Sequence, residues 1–142
     1  MELRIKLDDG VLAPSYAHEG DAGLDLRANE AATLTPGAIV FVGTGVCAEI
    51  PKGYVGKLYL RSGWATKHHV TLANGTGIID CNYRGEIKIP LSSRDNRIEH
   101  VEKGERIAQL VISQVPTFDV VVVDELSETE RGAGGFGSSG RY

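Results

Sequence analysis

The sequence predicts an all-β domain, a sandwich or barrel built from many short strands. Apolar residues recur at every second position in several short runs, and the periodicity of amphipathic helices is missing almost throughout. The 18 glycines in 142 residues are about twice the usual proportion for a globular domain. Such a composition indicates many turns, as a chain of short strands requires.

Length and composition predict a single domain that does not need disulfide bonds or a structural metal for its stability. A chain of 142 residues buries roughly 70% of the surface that its unfolded form exposes. Cys47 and Cys81 fit no metal-ligand spacing and lie in or beside apolar runs, where a thiol behaves as a small hydrophobe. Because the start, MELRIKLDDG, lacks the apolar stretch of a secretory signal and no run is long enough to span a membrane, we expect a cytoplasmic protein.

The charge balance argues against binding to large anionic partners through the overall charge of the protein. There are 15 basic and 19 acidic residues, so the formal net charge is −4. DNA, RNA and anionic membranes are therefore not expected as partners. A small anion remains open, held by locally placed arginines and backbone amides.

The first half of the chain contains four strand-like segments. Residues 2–7 alternate apolar and polar side chains. In the segment DAGLDLRA, Asp21 and Asp25 share one parity and hence one face, although a solvated edge strand would also explain them. Residues 38–50 predict a strand interrupted at the sequence Gly-Thr-Gly, and residues 54–60 predict the next.

The segment RSGWATKH from Arg61 breaks the β pattern and predicts one short helix, with Ser62 as its N-cap. Free N–H groups at a helix start, with a guanidinium beside them, suit a phosphate. An ordinary serine cap is the alternative. The adjacent His68 and His69 point in different directions, so we do not expect them to chelate a metal.

Residues 75–90 predict a β-hairpin with a carboxylate and an aromatic ring near its tip. Ile78-Ile79 precede the break, and apolar residues alternate with charged ones over residues 86–91. The connection supplies Asn and Gly for a tight turn, which places Asp80 and Tyr83 near the tip. Taken alone, this segment favours Asp80 as a turn cap and Tyr83 as a half-buried cross-strand ring.

Three more strands are predicted, over residues 97–101, 105–111 and 118–124. Gln109 falls within otherwise apolar surroundings in the second of these, and a buried amide needs partners. Residues 131–142 are rich in glycine and serine around one phenylalanine, which is typical of a mobile tail. Alternatively, the amides and arginines of this tail could wrap phosphates while its ring stacks on a base.

Together these segments resemble the trimeric deoxyuridine triphosphatase (dUTPase) family. The resemblance covers the whole chain and rests on five motifs in the family's order: DAGLDLRA from Asp21, RSGWA from Arg61, NGTGIIDCNYRGE from Asn74, GERIAQLV from Gly104 and RGAGGFGSSG from Arg131. It implies a jelly-roll-like β-sandwich or barrel that forms a homotrimer. It also implies two parts, a barrel domain over residues 1–130 and a mobile glycine-rich lid over residues 131–142, which closes over a site formed by the other two subunits.

The resemblance implies an activity as well. Family members hydrolyse dUTP to dUMP and pyrophosphate with Mg²⁺, which limits uracil in DNA and supplies the precursor of dTMP. Asp80 matches the carboxylate that activates the attacking water, and Tyr83 matches the ring beneath the deoxyribose, which leaves no room for a 2′-hydroxyl. The main chain at Asn74, Gly77 and Ile79 would read the edge of uracil and exclude the methyl group of thymine.

The remaining implied roles concern metal, base and phosphates. Mg²⁺ would be held mainly by the substrate phosphates, and Asp25 would contact it through water. Phe136 would stack on uracil, and Arg131 would meet the γ-phosphate. Further substrate contacts are implied for Arg61, Ser62, Gly63, Gln109, Gly137, Ser138 and Ser139. This set supplies the positioning, charge neutralisation and oriented nucleophile that phosphoryl transfer requires.

Some positions depart from the family pattern, and two other functions stay open. Trp64 stands where leucine is usual and should enlarge packing near the trimer axis, and Cys81-Asn82 stands where Ser-Asp is frequent. A dCTP deaminase of the same fold is disfavoured by the complete glycine-rich tail. A nucleotide-sensing regulatory protein is disfavoured by the intact Asp80.

Overall fold

Two four-stranded antiparallel sheets and a two-stranded ribbon make up the fold of the residues that the computed structural model describes, 1–135 and Ser138. In chain order the elements are β1 (Arg4–Leu7), β2 (Leu24–Arg27), β3 (Ala32–Leu34), β4 (Ile39–Glu49), β5 (Tyr54–Leu60), α1 (Ser62–Lys67), β6 (Val70–Leu72), β7 (Gly77–Ile79), β8 (Glu86–Ser93), β9 (Glu99–Val101) and β10 (Arg106–Gln114). The first sheet has the order β1-β4-β8-β6, the second β2-β10-β5-β7, and β3 pairs with β9. The predicted jelly-roll-like all-β class with one short helix is confirmed.

One hydrophobic core joins the inner faces of the two sheets. In β8, Ile87, Ile89 and Leu91 are buried while Lys88 between them is exposed, as the period-two pattern predicts. Full burial of each such side chain stabilises the fold by about 1.5–3 kcal/mol relative to exposure. Trp64 is also part of this core, with 4% of its surface exposed, so the chain's own interior accommodates the ring that replaces leucine.

The predicted hairpin over residues 75–90 is wrong, because β7 and β8 belong to different sheets. β7 pairs with β5, with Gly77 opposite Leu58, and β8 pairs with β4 and β6. A Cβ on Gly77 would lie 2.8 Å from Cβ of Leu58, so the glycine permits this close approach. Alternation identified both strands, but alternation does not specify a strand's partner.

The Gly43-Thr44-Gly45 sequence does not interrupt β4. It creates a shift of register between Gly43 and Cys47 in the pairing with β8, as a β-bulge does. Gly45 has a φ of 65°, and its N–H donates to the Glu86 carboxylate at 2.8 Å. The buried Thr44 hydroxyl donates to the Ile87 carbonyl at 2.6 Å, so side chains replace the ladder bonds that the bulge loses.

The predicted N-cap at Ser62 is wrong by one residue. Arg61 is the N-cap, with extended φ and ψ of −66° and 141°, and its side chain makes no capping hydrogen bond. The backbone N–H of Arg61 still donates to the carbonyl of Ile107 on β10, at 3.0 Å. Strand geometry therefore continues through Arg61, and the helix begins at Ser62.

The predicted strand over residues 118–124 is wrong as well. Within the described part of the chain, β10 is the last strand, and residues 115–130, which we call the arm, contain neither helix nor strand. Phe118, Val120 and Val122 on this arm are 77%, 91% and 93% exposed. A strand needs a neighbour for its backbone groups. The N–H of Val115 donates to the carbonyl of Gly53 at 2.9 Å, but residues 116–128 have no backbone partner among the described residues. Likewise, no described helix is long and apolar enough to cross a membrane.

Candidate active site

A cavity of about 350 Å³ lies beside the turn that connects β7 to β8. We call it the turn cavity. Five residues of the predicted site line it, and they come from the loop after β6, from β7 and from the turn: Asn74, Gly77, Ile79, Asp80 and Tyr83. The remaining lining residues are Phe41, Leu58, Ile78, Glu86, Ile87, Lys88 and Pro90. The third predicted motif therefore converges on one cavity, although the strands around it do not form a hairpin.

Asp80 reaches this cavity with a carboxylate that has no hydrogen-bond or ion-pair partner among residues 1–135 and Ser138. Its backbone carbonyl, rather than its side chain, closes the turn by accepting from the N–H of Tyr83 at 3.1 Å. The turn-cap interpretation required a side-chain bond to the backbone. Asp80 is exposed, so its carboxylate is accessible to a ligand or a water molecule.

Tyr83 lies at the same turn, and the hydroxyl end of its ring is held in place. Its hydroxyl donates to the carbonyl of Glu86 at 2.9 Å, while 44% of its surface stays exposed. A Cβ on Gly85 would lie only 2.6 Å from Cζ of Tyr83 and would also meet the hydroxyl oxygen. The ring position thus depends on Gly85, a glycine that the sequence pattern had assigned only to the turn.

A second cavity, of about 300 Å³, lies at the start of α1 and along β2 and β10. We call it the arginine cavity. Asp25, Arg61, Ser62 and Gln109 of the predicted site line it, together with Ala17, His18, Asp21, Ala22, Gly23 and Val111. It therefore brings the first, second and fourth motifs together.

Asp25 is the electrostatic centre of the arginine cavity, with only 9% of its surface exposed. One carboxylate oxygen lies 3.0 Å from Nε of Arg61, and the other lies 2.9 Å from Nη1 of Arg106. Two guanidinium groups therefore compensate one nearly buried carboxylate. Sequence reasoning missed Arg106, because a register shift between Arg106 and Ala108 changes the parity along β10.

Gln109 faces the arginine cavity rather than an apolar interior. It lies opposite Asp25 in the β2–β10 pairing, whereas its neighbours Ala108 and Leu110 are buried in the core. Its side chain packs on Gly23, where a Cβ would lie 2.6 Å from Oε1. The predicted apolar surroundings are wrong, because the sequence neighbours of Gln109 point to the opposite face of the strand.

The two cavities share no lining residue. Asp25 is on β2 and Ile79 is on β7, which are the opposite edges of the four-stranded second sheet. Three strand spacings separate these edges by about 14 Å. Within one chain, the predicted site residues thus form two groups rather than one.

The described residues of the predicted lid form local turns and line neither cavity. Nε of Arg131 donates to the Gly134 carbonyl at 2.8 Å, and the Gly134 N–H donates back to the Arg131 carbonyl at 3.1 Å. Ser138 is exposed and its N–H donates to the carbonyl of Gly135. The predicted contacts Phe136, Gly137 and Ser139 lie outside the described residues. Gly63 is exposed in the first turn of α1, beside Ser62, but does not line the arginine cavity.

The carboxylates near the arginine cavity suit a metal ion that is bound mainly by a substrate rather than by the protein. Among residues 1–135 and Ser138 there is no cluster of three or more His, Cys, Asp or Glu side chains that could hold a metal ion. Mg²⁺ commonly keeps several waters and binds through one or two carboxylates plus substrate phosphates. Asp25, with Asp21 lining the same cavity, fits that restricted role.

The protein is thus an all-β domain with two separate cavities. One holds the carboxylate of Asp80 beside the exposed ring of Tyr83, and the other holds Arg61 paired with Asp25. A family model for dUTPase matches residues 10–140. The chain is 47% identical over 138 residues to the deoxyuridine 5′-triphosphate nucleotidohydrolase of Nocardia farcinica, which covers 96% of this chain and 84% of that protein. The chain belongs to the dUTPase family.

Solved structures agree with this assignment. The dUTPase of Staphylococcus bacteriophage 80alpha, in a mutant form with dUpNHpp, superposes with a TM-score of 0.91 at 34% identity and covers 98% of both chains. A mutant dUTPase from phage phi11 of S. aureus, whose structure reveals the coordination of a structural Mg(II) ion, has a TM-score of 0.81 at 28% identity. That match covers 88% of this chain and 98% of the other.

The substitution Asp25→Asn should lower the free energy of unfolding by about 1–3 kcal/mol, because both arginines lose a charged hydrogen-bond acceptor. Urea unfolding at a fixed protein concentration measures the change. Asp21→Asn is the matched control, since the Asp21 side chain is 41% exposed and its loss should cost no more than about 0.5 kcal/mol. Equal losses in the two variants would contradict the central role of Asp25.

Proposed function

We propose that this protein is a dUTP diphosphatase, which hydrolyses dUTP to dUMP and pyrophosphate through attack of water on the α-phosphate. The observation that carries this proposal is the turn cavity, where the unpaired carboxylate of Asp80 lies beside the ring of Tyr83. The membership in the dUTPase family and the neighbouring structure with dUpNHpp, an analogue of dUTP, support the same substrate. The reaction limits uracil in DNA and supplies dUMP for dTMP synthesis.

Asp80 is the proposed general base. An accessible carboxylate without a partner in the described chain is free to accept a proton from an attacking water. The same carboxylate would contact the sugar 3′-hydroxyl, which fixes the substrate relative to the water. Arg61, Ser62 and Gln109 would neutralise and position the phosphates, so the chemistry relies on orientation and charge rather than on a covalent intermediate.

Tyr83 and β7 would select deoxyuridine. The Tyr83 ring, fixed by Glu86 and Gly85, would lie beneath the deoxyribose and leave no space for a 2′-hydroxyl. β7 is an edge strand of the second sheet, so the backbone groups on its outer side are available to the edge of uracil. The main chain near Asn74, Gly77 and Ile79 would supply those contacts and exclude the thymine methyl.

Magnesium is the proposed cofactor, bound mainly by the substrate phosphates and through water by Asp25. When bound, it would neutralise the charge that develops on the phosphates during hydrolysis. Asp25 keeps Arg61 oriented toward the arginine cavity at the same time, since Nε of Arg61 is 3.0 Å from Oδ1 of Asp25.

A homotrimer with shared active sites is the proposed assembly. Two features of the single chain support self-association. The turn cavity and the arginine cavity share no lining residue, so a substrate that needs both groups would have to find them on different chains. The arm over residues 115–130 also exposes large apolar side chains, which are costly to leave in water. We further propose that residues 1–130 form the barrel domain and residues 131–142 form the lid, which closes over a neighbour's site. The lid residues expected to contact the substrate are Arg131, Phe136, Gly137, Ser138 and Ser139.

A substrate panel tests the activity. Purified protein with Mg²⁺ should release pyrophosphate from dUTP far faster than from dTTP, dCTP or UTP, because β7 excludes the methyl group and Tyr83 excludes the 2′-hydroxyl. Equal rates on dUTP and UTP would contradict the role of Tyr83. Release of ammonia from dCTP would instead favour the deaminase of the same fold.

Replacement of Asp80 by Asn should leave dUTP binding intact and lower kcat by about 100- to 10,000-fold, because the water loses its general base. Isothermal titration with dUpNHpp and a pyrophosphate-release assay separate the two effects. Asp9→Asn is a control, since Asp9 is an exposed aspartate that lines neither cavity. Retention of the full rate in the Asp80→Asn variant would exclude Asp80 as the base.

Truncation after Glu130 should preserve the trimer and lower the rate of dUTP hydrolysis at least about tenfold, because the phosphates lose contacts that position them. Sedimentation velocity measures the assembly and pyrophosphate release measures the rate. A chain that ends at Gly140, and so retains the whole fifth motif, is the control. A fully active truncated trimer would show that the lid is dispensable.

A further inference from the structure

Arg84 packs its guanidinium group against the turn that carries Asp80 and Tyr83. Nη1 donates to the carbonyl of Cys81 and to the carbonyl of Tyr83, at 2.8 Å each. These two carbonyls flank Asn82, so one nitrogen of Arg84 bridges both sides of the turn. Nη2 lies 3.6 Å from the Glu49 carboxylate at the end of β4.

These bonds constrain a segment that has few other restraints. Residues 80–85 lie between strands of different sheets, and the turn contains one described backbone hydrogen bond, from the Tyr83 N–H to the Asp80 carbonyl. Hydrogen bonds with a charged donor are stronger than neutral ones. The guanidinium therefore fixes the carbonyls on either side of Asn82, and with them the directions in which the side chains of Asp80 and Tyr83 leave the backbone.

The ion pair with Glu49 does not explain the position of Arg84 by itself. The two side chains are 55% and 47% exposed, and exposed pairs contribute little to stability. Glu49 also lies 3.9 Å from Arg4, whose side chain makes no hydrogen bond to the turn among the described residues. Arg4 and Arg84 thus share a carboxylate partner, and only Arg84 hydrogen-bonds to the backbone beside the proposed catalytic residue.

We propose that Arg84 is a positioning residue, which acts on dUTP hydrolysis by holding the turn so that Asp80 and Tyr83 keep their places in the turn cavity. This inference rests on the proposed function. Arg84 does not line the turn cavity, so it acts through the backbone rather than on the substrate. The phosphate contacts assigned to Arg61 and Ser62 lie in the other cavity and do not depend on it.

The test compares Arg84→Ala with Arg4→Ala, which remove the same charge near the same carboxylate. Because displacement of a catalytic group by about 1 Å can cost roughly 100-fold in rate, we expect Arg84→Ala to lower kcat for dUTP about 10- to 100-fold. KM for dUTP should change less than kcat, since the phosphate contacts remain. The ratio of the rates on dUTP and UTP should fall, because Tyr83 moves. Arg4→Ala should match the wild type in all three quantities.

A conservative variant and a chemical rescue separate positioning from a general loss of structure. Arg84→Gln keeps N–H donors without charge and should recover part of the rate. Methylguanidinium should raise the rate of Arg84→Ala, compared with the same concentration of potassium salt, and should leave Arg4→Ala unchanged. The inference is overturned if Arg84→Ala and Arg4→Ala have the same kcat and the same dUTP to UTP preference.

Hydrogen exchange distinguishes failure of this inference from failure of the proposed function. Amides of residues 80–86 should exchange faster in Arg84→Ala than in the wild type and in Arg4→Ala, whether or not dUTP is the substrate. If the wild type does not hydrolyse dUTP, the proposed function fails, and faster exchange still supports the restraint by Arg84. Unchanged exchange in an active enzyme would refute the restraint alone.

Discussion

The crossing of the chain between its two sheets is the constraint on which the candidate site depends. β7 ends at an edge of the second sheet and β8 begins in the first, so residues 80–85 must span the sheets within a short turn. Both ends of this crossing are fixed. Gly77 allows β7 to lie close against Leu58, and Glu86 at the start of β8 accepts a hydrogen bond from the bulge in β4. The carboxylate and the ring at this turn are positioned by packing on both sides.

Charge compensation around Asp25 organises the other half of the site. Arg61 comes from the junction of β5 and α1, and Arg106 comes from the start of β10, so one carboxylate connects three elements. A nearly buried carboxylate would be costly without these partners. The same arrangement keeps the guanidinium group of Arg61 in the cavity that Ser62 and Gln109 line. Structural stability and a supply of positive charge for phosphates therefore have a common origin in this cavity.

A single chain leaves two features without a partner. The turn cavity lies near one edge of the second sheet and the arginine cavity includes the other edge. The apolar arm beyond β10 pairs with no strand among the described residues. Both features agree with the proposed assembly in which neighbouring subunits complete each site. The dUTPase fold in this view supplies separate halves, and the distance between them is set by strand spacing.

The sequence by itself determined the all-β class, most strand positions and the motifs of the dUTPase family. Period-two alternation located β8, because one face of this strand packs on the core and Lys88 on the other face does not. The same alternation gave no information about the partners of a strand. For that reason the predicted hairpin was wrong, and residues 118–124 of the arm were wrongly predicted to form a strand. Local pattern also placed the helix cap on Ser62, although a bond from Arg61 to β10 extends the strand.

Only the tertiary structure decided how the site residues are grouped. It brought Arg106 to Asp25 across a register shift that no parity rule predicts, and it turned Gln109 toward Asp25 and away from the core. It also revealed the restraints on the turn from Arg84, Gly85 and Glu86. The physical reason is that alternation records which face of a strand is buried, whereas strand pairing, register and close contacts depend on residues distant in the chain.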